Sequence, residues 1–323
     1  MMNRKDEHIA IAMNQKTKSN AFDRICLESN DLSGLKLSDI DLRTSFLGYK
    51  IPYPIYVNAM TGGTDKAYEI NKYLAKLAQY FDIPMISGSQ SIALKDESKK
   101  ESFEVIRKYH HGILLANINP NYGLKDAKRA INMIQANGLS IHLNTIQELI
   151  MPEGDRDFSM WKENIDEINQ NLDLPLLVKH VGIGMSQKTI EILKSIGIKY
   201  IDVSGSGGTS FIDIESTRAN KNYNYLKDFE IDTATILLDL INEKELEIYA
   251  SGGIRNPLDV IKALVLGAKA VGLSKWFLDL TKLPFEESIK AVEDFILVLK
   301  KIMIIIGAKN ISELKNVRFE VNL

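Results

Sequence analysis

Apolar and polar residues follow a repeating pattern from Ile55 to the end of the chain. Short, mostly apolar runs alternate with longer segments in which apolar residues recur every three or four positions. The runs are typical of buried parallel strands, and the longer segments are typical of helices that pack one face on a sheet. The predicted strands are Ile55–Met60, Pro84–Ser89, Ile113–Ile118, Ser140–Asn144, Leu176–Val181, Tyr200–Ser204, Leu246–Ala250 and Ala270–Ser274.

The helices predicted between these strands are supported by apolar faces and by terminal residues. The clearest helix begins with Asn256 as N-cap and Pro257 in the first turn, and Gly267 follows its predicted end. Further helices are predicted over 67–81, over 98–109, after Gly123, from about Ser186 and over 286–303.

Eight strand–helix units over roughly 230 residues match a TIM (β/α)8 barrel in number and length. An open doubly wound sheet is the alternative, but no Gly-x-Gly-x-x-Gly motif follows the first predicted strand. No linker divides residues 51–323, so they are expected to form a single barrel domain. Residues 1–50 are polar with little periodicity, and they are predicted to be an irregular N-terminal extension. Phe211–Glu230 is also predicted to be irregular and to form a lid at the catalytic face.

Charge and cysteine content restrict the partners and the compartment. Of the 323 residues, 40 are basic and 42 are acidic, so the net charge is −2 and nothing indicates nucleic acid or an acidic membrane as partner. Cys26 is the only cysteine, which excludes an internal disulfide or a cysteine metal cluster and favours a reducing cytoplasm. No apolar run is long enough to span a bilayer or to serve as a signal peptide.

Polar residues are concentrated at the carboxyl ends of the predicted strands, where TIM barrels build their active sites. Packing alone does not explain so many polar strand ends on one face, so we expect a ligand site there. These residues are Asn58, Thr61, Ser87, Ser89, Asn117, Asn119, His142, Asn144, Lys179, His180, Ser204, Arg255 and Ser274.

Two glycine-rich segments predict an anion site. Val203–Ser210 follows the sixth predicted strand, and Ala250–Pro257 follows the seventh. Glycine lets the backbone approach a ligand closely, and free N–H groups suit a phosphate. We therefore expect the glycines between Ser204 and Thr209 to present backbone to the ligand. A Gly-Ser run alone is also typical of a mobile loop, but the second segment favours a mononucleotide, with flavin mononucleotide (FMN) first.

Two further positions have both a chemical and a structural interpretation. Lys179, on the fifth strand, either neutralises the anionic ring of a reduced flavin or forms a salt bridge at the barrel top. His142 and Asn144 face the same side of the fourth strand, and Gln147 and Glu148 follow them. A single carboxylate with neutral neighbours suits Mg²⁺ that also binds substrate phosphates. Alternatively, Glu148 is a helix-start charge that interacts with the helix dipole.

Together these motifs resemble those of the type 2 isopentenyl-diphosphate isomerases, a family of flavin-dependent TIM barrels. The resemblance covers nearly the whole chain. The motifs that carry it are Arg4-Lys5-Asp6-Glu7-His8, Asn58–Gly63, Gly88-Ser89-Gln90, His142–Asn144 with Gln147-Glu148, Pro152–Gly154, Lys179–Gly182, Ser204–Ser210 and Ser251–Pro257.

The resemblance implies a reaction without net redox change, the interconversion of isopentenyl and dimethylallyl diphosphate. It implies that reduced FMN acts as acid/base, that NADPH only reduces the flavin, and that the protein is a homo-oligomer, a tetramer or octamer. The strand ends offer no obvious pair of carboxylates for the proton transfers, which agrees with a cofactor in that role.

The resemblance also implies roles for individual residues. The substrate would be bound by Arg4, Lys5, His142, Asn144 and Gln147, with Gln147 and His142 catalytic and Gln147 beside the hydrocarbon end. Glu148 would bind Mg²⁺, and residues 1–50 would close over the site. FMN would be held by Ala59, Met60, Thr61, Ser89, Asn117, Lys179, Ser204, Thr209, Gly253, Ile254, Arg255, Ser274 and Lys275.

Two positions depart from the family pattern. Ser91 stands where many relatives have arginine, which leaves more of the anion binding to Arg4, Lys5 and Lys95, and Phe211 stands where many have tryptophan.

Two other functions are compatible with a flavin barrel. An FMN-dependent oxidoreductase of the 2-hydroxy-acid oxidase type would need a histidine base and paired arginines, but Arg255 stands alone and no His-Gly-Gly follows the seventh strand. A non-catalytic flavin-binding barrel would need neither Glu148 nor the basic leader.

Overall fold

The computed structural model describes residues 4–15 and 19–322. Eight parallel strands, β4 to β11 below, close into a barrel in which neighbours in space follow chain order. This confirms the predicted TIM barrel, and each predicted strand is present with ends shifted by a few residues. The strands are β1 (Ile25–Leu27), β2 (Thr44–Phe46), β3 (Tyr49–Ile51), β4 (Ile55–Val57), β5 (Met85–Ile86), β6 (Leu114–Ile118), β7 (Gly138–Leu143), β8 (Leu176–His180), β9 (Tyr200–Asp202), β10 (Glu247–Ser251), β11 (Val271–Leu273) and β12 (Phe319–Val321).

Helices cover the outside of the barrel. The helix expected after Asn256 is confirmed, and the Asn256 side chain accepts a hydrogen bond from the Asp259 N–H (3.0 Å). The α-helices are α1 (Arg4–Asn14), α2 (Asp65–Phe81), α3 (Ser91–Lys95), α4 (Glu101–Tyr109), α5 (Leu124–Ile134), α6 (Thr145–Ile150), α7 (Trp161–Asn171), α8 (Gln187–Ser195), α9 (Phe211–Ala219), α10 (Thr233–Asp239), α11 (Pro257–Val265), α12 (Lys275–Leu280) and α13 (Phe285–Ile305).

The strand register sets which side chains meet inside the barrel. β6 and β7 are buried along their whole length, as expected for strands covered on both faces. His142 on β7 lies beside Lys179 on β8, and Lys179 lies beside Asp202 on β9. Three titratable side chains from consecutive strands therefore occupy neighbouring positions at the carboxyl end of the barrel.

The N-terminal extension is not irregular, so that part of the prediction is wrong. Arg4–Asn14 form α1, and β2 and β3 form an antiparallel hairpin. The hairpin fills the amino-terminal end of the barrel, where Phe46 packs on Tyr56 and Tyr249. Strands of three residues are too short to show a periodic pattern, which explains why the sequence did not indicate them. The described residues of the extension thus reach both ends of the barrel, with α1 over the carboxyl end and the hairpin at the amino-terminal end.

The segment 211–230 is also more regular than predicted. Phe211–Ala219 form α9, Ser210 caps it by accepting from the Asp213 N–H (3.2 Å), and a short 3₁₀ helix follows over Asn224–Phe229. The buried residues of α9 are Ile212, Ile214 and Glu215, and the two apolar ones are only two positions apart, which is not a helical spacing. The expected helical signature was therefore missing. The lid role of this segment stays a prediction.

None of the helices within the described ranges combines the length and the apolarity needed to cross a membrane.

Candidate active site

A cavity of about 290 Å³ opens at the carboxyl ends of the barrel strands. It is lined by strand-end loops, by α1 and by α9. Of the strand-end residues expected to form a ligand site, Ser87, His180 and Arg255 do not line this cavity. The cavity is lined by every residue to which the family resemblance assigned a role, except Arg255. These are Arg4, Lys5, Ala59, Met60, Thr61, Ser89, Asn117, His142, Asn144, Gln147, Glu148, Lys179, Ser204, Thr209, Gly253, Ile254, Ser274 and Lys275. Their contacts with ligands stay predictions.

Arg255 has a different set of partners. Its guanidinium donates to Asp23 (2.5 and 2.9 Å) and to Asp259 (2.8 and 3.0 Å), and its side chain does not line the cavity. These carboxylates raise the pKa of Arg255, so the side chain stays charged and paired. The expectation that Arg255 supplies positive charge to a phosphate is not supported by this arrangement.

A buried carboxylate organises the floor of the cavity. Asp202 is fully buried and accepts hydrogen bonds from Tyr56 Oη (2.9 Å), Asn58 Nδ2 (3.2 Å) and Ser251 Oγ (2.8 Å). It also accepts from the Ser204 N–H (3.1 Å), which fixes the start of the loop after β9. Burial raises the pKa of Asp202, and the charge of Lys179 and these hydrogen bonds oppose that rise. Asp202 was not identified from the sequence, because a single acid on a strand carries no motif.

Lys179 projects into the cavity from β8. Its side chain is 3% exposed, and Nζ donates to the His180 carbonyl (2.7 Å). Burial lowers the pKa of Lys179, and the charge of Asp202 opposes that fall. Lys179 is thus a buried amine, and Asp202 lies beside it in the register of the neighbouring strand. This placement suits an anionic ligand in the cavity better than a surface salt bridge at the barrel top.

His142 is held as a neutral ring. Its Nδ1 lies 3.0 Å from Asn117 Oδ1, and Asn117 Nδ2 donates to the Ser87 carbonyl (3.0 Å). Because an amide oxygen only accepts, this geometry places the imidazole proton on Nδ1. Burial, with the positive charges of Lys179 and Lys5, lowers the pKa of His142 to about 3. His142 therefore offers a neutral polar ring at any working pH.

Glu148 faces the cavity from the first turn of α6. One carboxylate oxygen accepts from Asn144 Nδ2 (2.8 Å), and the other accepts from the Asp155 N–H (2.9 Å). Both donors are neutral amides, which orient the carboxylate without neutralising it. No cluster of three or more His, Cys, Asp or Glu that could hold a metal occurs in the described ranges. The donor set fits Mg²⁺ only if other ligands come from a substrate, as a diphosphate would provide.

Ion pairs hold α1 over the cavity. Arg218 on α9 pairs with Glu7 (3.1 Å), Glu153 (2.6 Å) and Glu215 (2.5 Å), and His8 Nε2 lies 2.8 Å from Glu215. Three segments that are far apart in the sequence thus meet at one arginine. His8 also lines the cavity and was not assigned a role from the sequence. If residues 4–14 had been predicted to be helical, Lys5, His8 and Ala12 would have fallen on one helix face, and His8 could have been identified in that way.

Lys5 and Arg4 reach the cavity from α1. Burial and the neighbouring Arg4 lower the pKa of Lys5 to about 8, while Glu148 opposes that change. The cavity thus carries cations next to Glu148 at its outer end, and such an arrangement can bind a polyanion together with a divalent cation.

The backbone on the opposite side of the cavity fits a phosphate. Within the described ranges, neither the Gly253 N–H nor the Ile254 N–H has a hydrogen-bond acceptor, although both residues line the cavity. Gly253 has φ +74°, which a residue with a side chain rarely adopts. The buried Thr61 Oγ1 also lacks a described partner. Unpaired donors in a cavity are what a phosphorylated cofactor such as FMN would satisfy.

The glycine-rich loop after β9 only partly matches the expectation. Ser204, Gly208 and Thr209 line the cavity, and Ser204 has φ +37°. An added Cβ at Gly205 would lie 2.2 Å from the Thr233 N, so this glycine is needed for packing between loops. The idea that all these glycines face the ligand is therefore wrong for Gly205.

Comparison with known proteins gives one consistent result. A family model described as FMN-dependent dehydrogenase matches residues 144–320. The isopentenyl-diphosphate delta-isomerase of Latilactobacillus sakei subsp. sakei is 44% identical over 319 residues, which cover 97% of this chain and 91% of that relative. The enzyme of the same name from Streptococcus gordonii is 44% identical over 98% of this chain and 95% of its own. The one from Staphylococcus epidermidis is 40% identical over 97% and 91%.

Solved structures show the same barrel at lower identity. A flavocytochrome b2 variant with sulfite bound has a TM-score of 0.68 at 20% identity, covering 95% of this chain and 81% of that chain. A mandelate oxidase variant with a monooxide FMN adduct has a TM-score of 0.63 at 16% identity, covering 98% and 92%. At such identities the likeness concerns the fold alone. Because nearly the whole sequence aligns with the isomerases and more than half of it matches the flavin family model, this chain belongs to the type 2, FMN-dependent family of isopentenyl-diphosphate delta-isomerases.

Proposed function

We propose that this protein interconverts isopentenyl and dimethylallyl diphosphate, using reduced FMN and Mg²⁺. The observation that carries the proposal is identity of 40–44% with the isomerases over nearly the full length of this chain. The cavity supports it, because its lining includes Glu148 with Arg4 and Lys5 nearby and the unpaired N–H groups of Gly253 and Ile254.

The residues proposed to hold FMN are among those that line the cavity. The Gly253 and Ile254 N–H groups, with Ser274, Lys275, Ser204 and Thr209, would bind the phosphate end and the chain that joins it to the ring. Lys179 would place a cation beside the ring, and Thr61 would donate its unpaired hydroxyl. Ala59, Met60, Ser89 and Asn117 complete the lining. When bound, reduced FMN supplies the acid/base group of the reaction.

The outer end of the cavity is proposed to bind the substrate diphosphate. Arg4 and Lys5 would contact it from α1, and Asn144 would contact it from the end of β7. Glu148 would bind Mg²⁺, which neutralises phosphate charge. Because α1 is held by Arg218, these cations are already in place above the cavity, and the substrate does not have to order them.

Gln147 and His142 are proposed to face the reacting hydrocarbon. Both are buried, and neither carries a charge. Because both side chains are neutral, the strongest electrostatic interaction of the hydrocarbon would be with the cofactor. Because both are buried, they would also keep out water that would exchange protons with a reactive carbon. NADPH as reductant, a cytoplasmic location and a homo-oligomeric state, tetramer or octamer, belong to the same proposal.

Turnover with isopentenyl diphosphate tests the function. The purified protein with FMN, NADPH and Mg²⁺ should form dimethylallyl diphosphate, and it should not do so with oxidised FMN alone. A parallel assay supplies lactate or mandelate and measures oxygen uptake. Oxidation without isomerisation would favour the 2-hydroxy-acid oxidase, and flavin binding without either reaction would favour a binding protein.

Substrate affinity is expected to depend on pH through Lys5. Its pKa of about 8 means that Lys5 is charged below that pH and neutral above it. KM for isopentenyl diphosphate should therefore rise between about pH 7 and about pH 9, while kcat changes less. In a Lys5→Arg variant the KM should stay flat over this range, because arginine keeps its charge. A parallel rise in both proteins would show that another group controls binding.

Lys95 is expected to contribute to anion binding where Ser91 cannot. Lys95 lines the cavity one helical turn beyond Ser91 on α3. A Lys95→Met change should raise KM for the diphosphate roughly two- to fivefold, as expected for an exposed charge, and leave the FMN affinity unchanged. Lys99→Met is the control, since Lys99 does not line the cavity. Equal effects of the two changes would contradict a local role for Lys95.

A further inference from the structure

We infer that Asn20 is a positioning residue for the phosphate end of the flavin pocket, an inference that rests on the FMN binding proposed above. Asn20 lies just before the 3₁₀ helix Ala21–Arg24, and its Nδ2 donates to the Gly253 carbonyl (2.8 Å). In a trans peptide the carbonyl and the next N–H point to opposite sides. The hydrogen bond from Asn20 to the Gly253 carbonyl therefore turns the Ile254 N–H away from Asn20. This N–H has no acceptor among the described residues.

Asn20 also fills the space between the two glycine-rich loops. An added Cβ at Gly207 would lie 2.9 Å from the Asn20 Cβ, and one at Gly253 would lie 2.9 Å from Asn20 Nδ2. The side chain thus contacts the loop after β9 and the loop after β10 at once. Both loops contribute residues to the cavity, so Asn20 sets the spacing between two of its walls.

Asn20 is itself held in place by Asp23, which also forms an ion pair with Arg255. Asp23 Oδ2 accepts from the Asn20 N–H (3.2 Å), and Arg255 joins Asp23 to the buried Asp259 at the start of α11. Lys262 on α11 also donates to the Phe22 carbonyl (2.7 Å). This arrangement gives Arg255 a role: its side chain anchors the segment that carries Asn20, and it does not contact the phosphate.

The decisive variant is Asn20→Ser. Serine still caps the 3₁₀ helix by accepting the Phe22 N–H, but it is too short to reach the Gly253 carbonyl. We expect the dissociation constant of FMN from the flavin-free protein to rise roughly three- to tenfold, as for one lost hydrogen bond. Affinity for riboflavin, which lacks the phosphate, should stay within about twofold. Both constants are measured by quenching of flavin fluorescence.

A matched control separates this role from a general effect on folding. Asn30 also starts an Asx turn, accepting from the Leu32 N–H (3.2 Å), and it packs on Gly307, away from the cavity. Asn30→Ser should leave both flavin affinities unchanged. Equal losses of FMN and riboflavin affinity in Asn20→Ser, or no loss of either, would overturn the inference. Failure of the unaltered protein to bind FMN would instead contradict the proposed function.

A second variant keeps the inference testable if Asn20→Ser does not fold. Asp23→Asn weakens the anchor to Arg255 and removes a negative charge near the phosphate site. If only long-range electrostatics mattered, the loss of this negative charge would strengthen FMN binding. If the ion pair with Arg255 positions Asn20, the dissociation constant of FMN should instead rise roughly two- to threefold. Stronger binding of FMN by Asp23→Asn would contradict the positioning role.

Discussion

Replacement of Glu148 by glutamine is expected to lower kcat/KM about 100-fold or more while FMN binding stays unchanged. Both carboxylate oxygens of Glu148 are oriented by neutral donors, Asn144 Nδ2 and the Asp155 N–H, so its charge is available to a cation in the cavity. Glutamine has nearly the same size but cannot neutralise Mg²⁺. Initial rates of dimethylallyl diphosphate formation over a range of Mg²⁺ concentrations, together with a flavin titration, measure the two effects.

Glu163→Gln is the matched control for this change. Glu163 is exposed and lies in the first turn of α7, as Glu148 lies in the first turn of α6. If Glu148 acted only on the helix dipole, both variants would lose a similar small amount of stability and little activity. Loss of FMN together with activity in Glu148→Gln would refute the metal role, as would an unchanged dependence on Mg²⁺.

Replacement of Asp202 by alanine is expected to destabilise the protein by about 3–5 kcal/mol, a value typical of breaking a buried charge network. Four donors would lose their acceptor, from Tyr56, Asn58, Ser204 and Ser251. The melting temperature should fall by on the order of 10 °C. FMN affinity should also fall, because the Ser204 N–H bond to Asp202 fixes the start of a loop that lines the cavity.

Two other changes calibrate the Asp202 result. Tyr56→Phe removes one donor to the same carboxylate and should cost about 1.5–3 kcal/mol of unfolding free energy, as for a hydrogen bond to a charged group. Asp173→Ala removes an exposed carboxylate between α7 and β8 and should leave stability unchanged. Denaturant unfolding of the three variants measures the series. An Asp202→Ala protein as stable as Tyr56→Phe would show that the network contributes no more than one hydrogen bond.

The barrel strands were predictable because their signal is local. A run such as Leu114–Ile118 is buried along its whole length and apolar at four of its five positions, since both faces of a parallel strand are covered. The first helix and the hairpin were not predicted from the sequence, for two different reasons. In α1 the apolar residues Ile9–Met13 follow one another directly and only Ile9 is buried, so no helical period is visible. Strands β2 and β3 are too short to show a period.

The sequence predicted most of the residues that line the site, but it did not predict which partners they contact. Strand-end position places His142, Lys179 and Ser204 at one face, because all barrel strands run in the same direction. It does not say where a long side chain on a loop points. Arg255 was expected to face the phosphate, yet Asp23, more than 200 positions earlier, holds it elsewhere.

The barrel, the polar carboxyl face and the family can all be inferred from the amino-acid sequence, because they depend on local pattern and on motifs in a fixed order. Which polar groups pair with one another becomes visible only in the folded molecule. The pairing of Asp202 with its four donors, the low pKa of His142 and the bond from Asn20 to Gly253 arise from side chains brought together by chain closure. Such contacts depend on distance and burial in three dimensions, and no pattern along the chain records them.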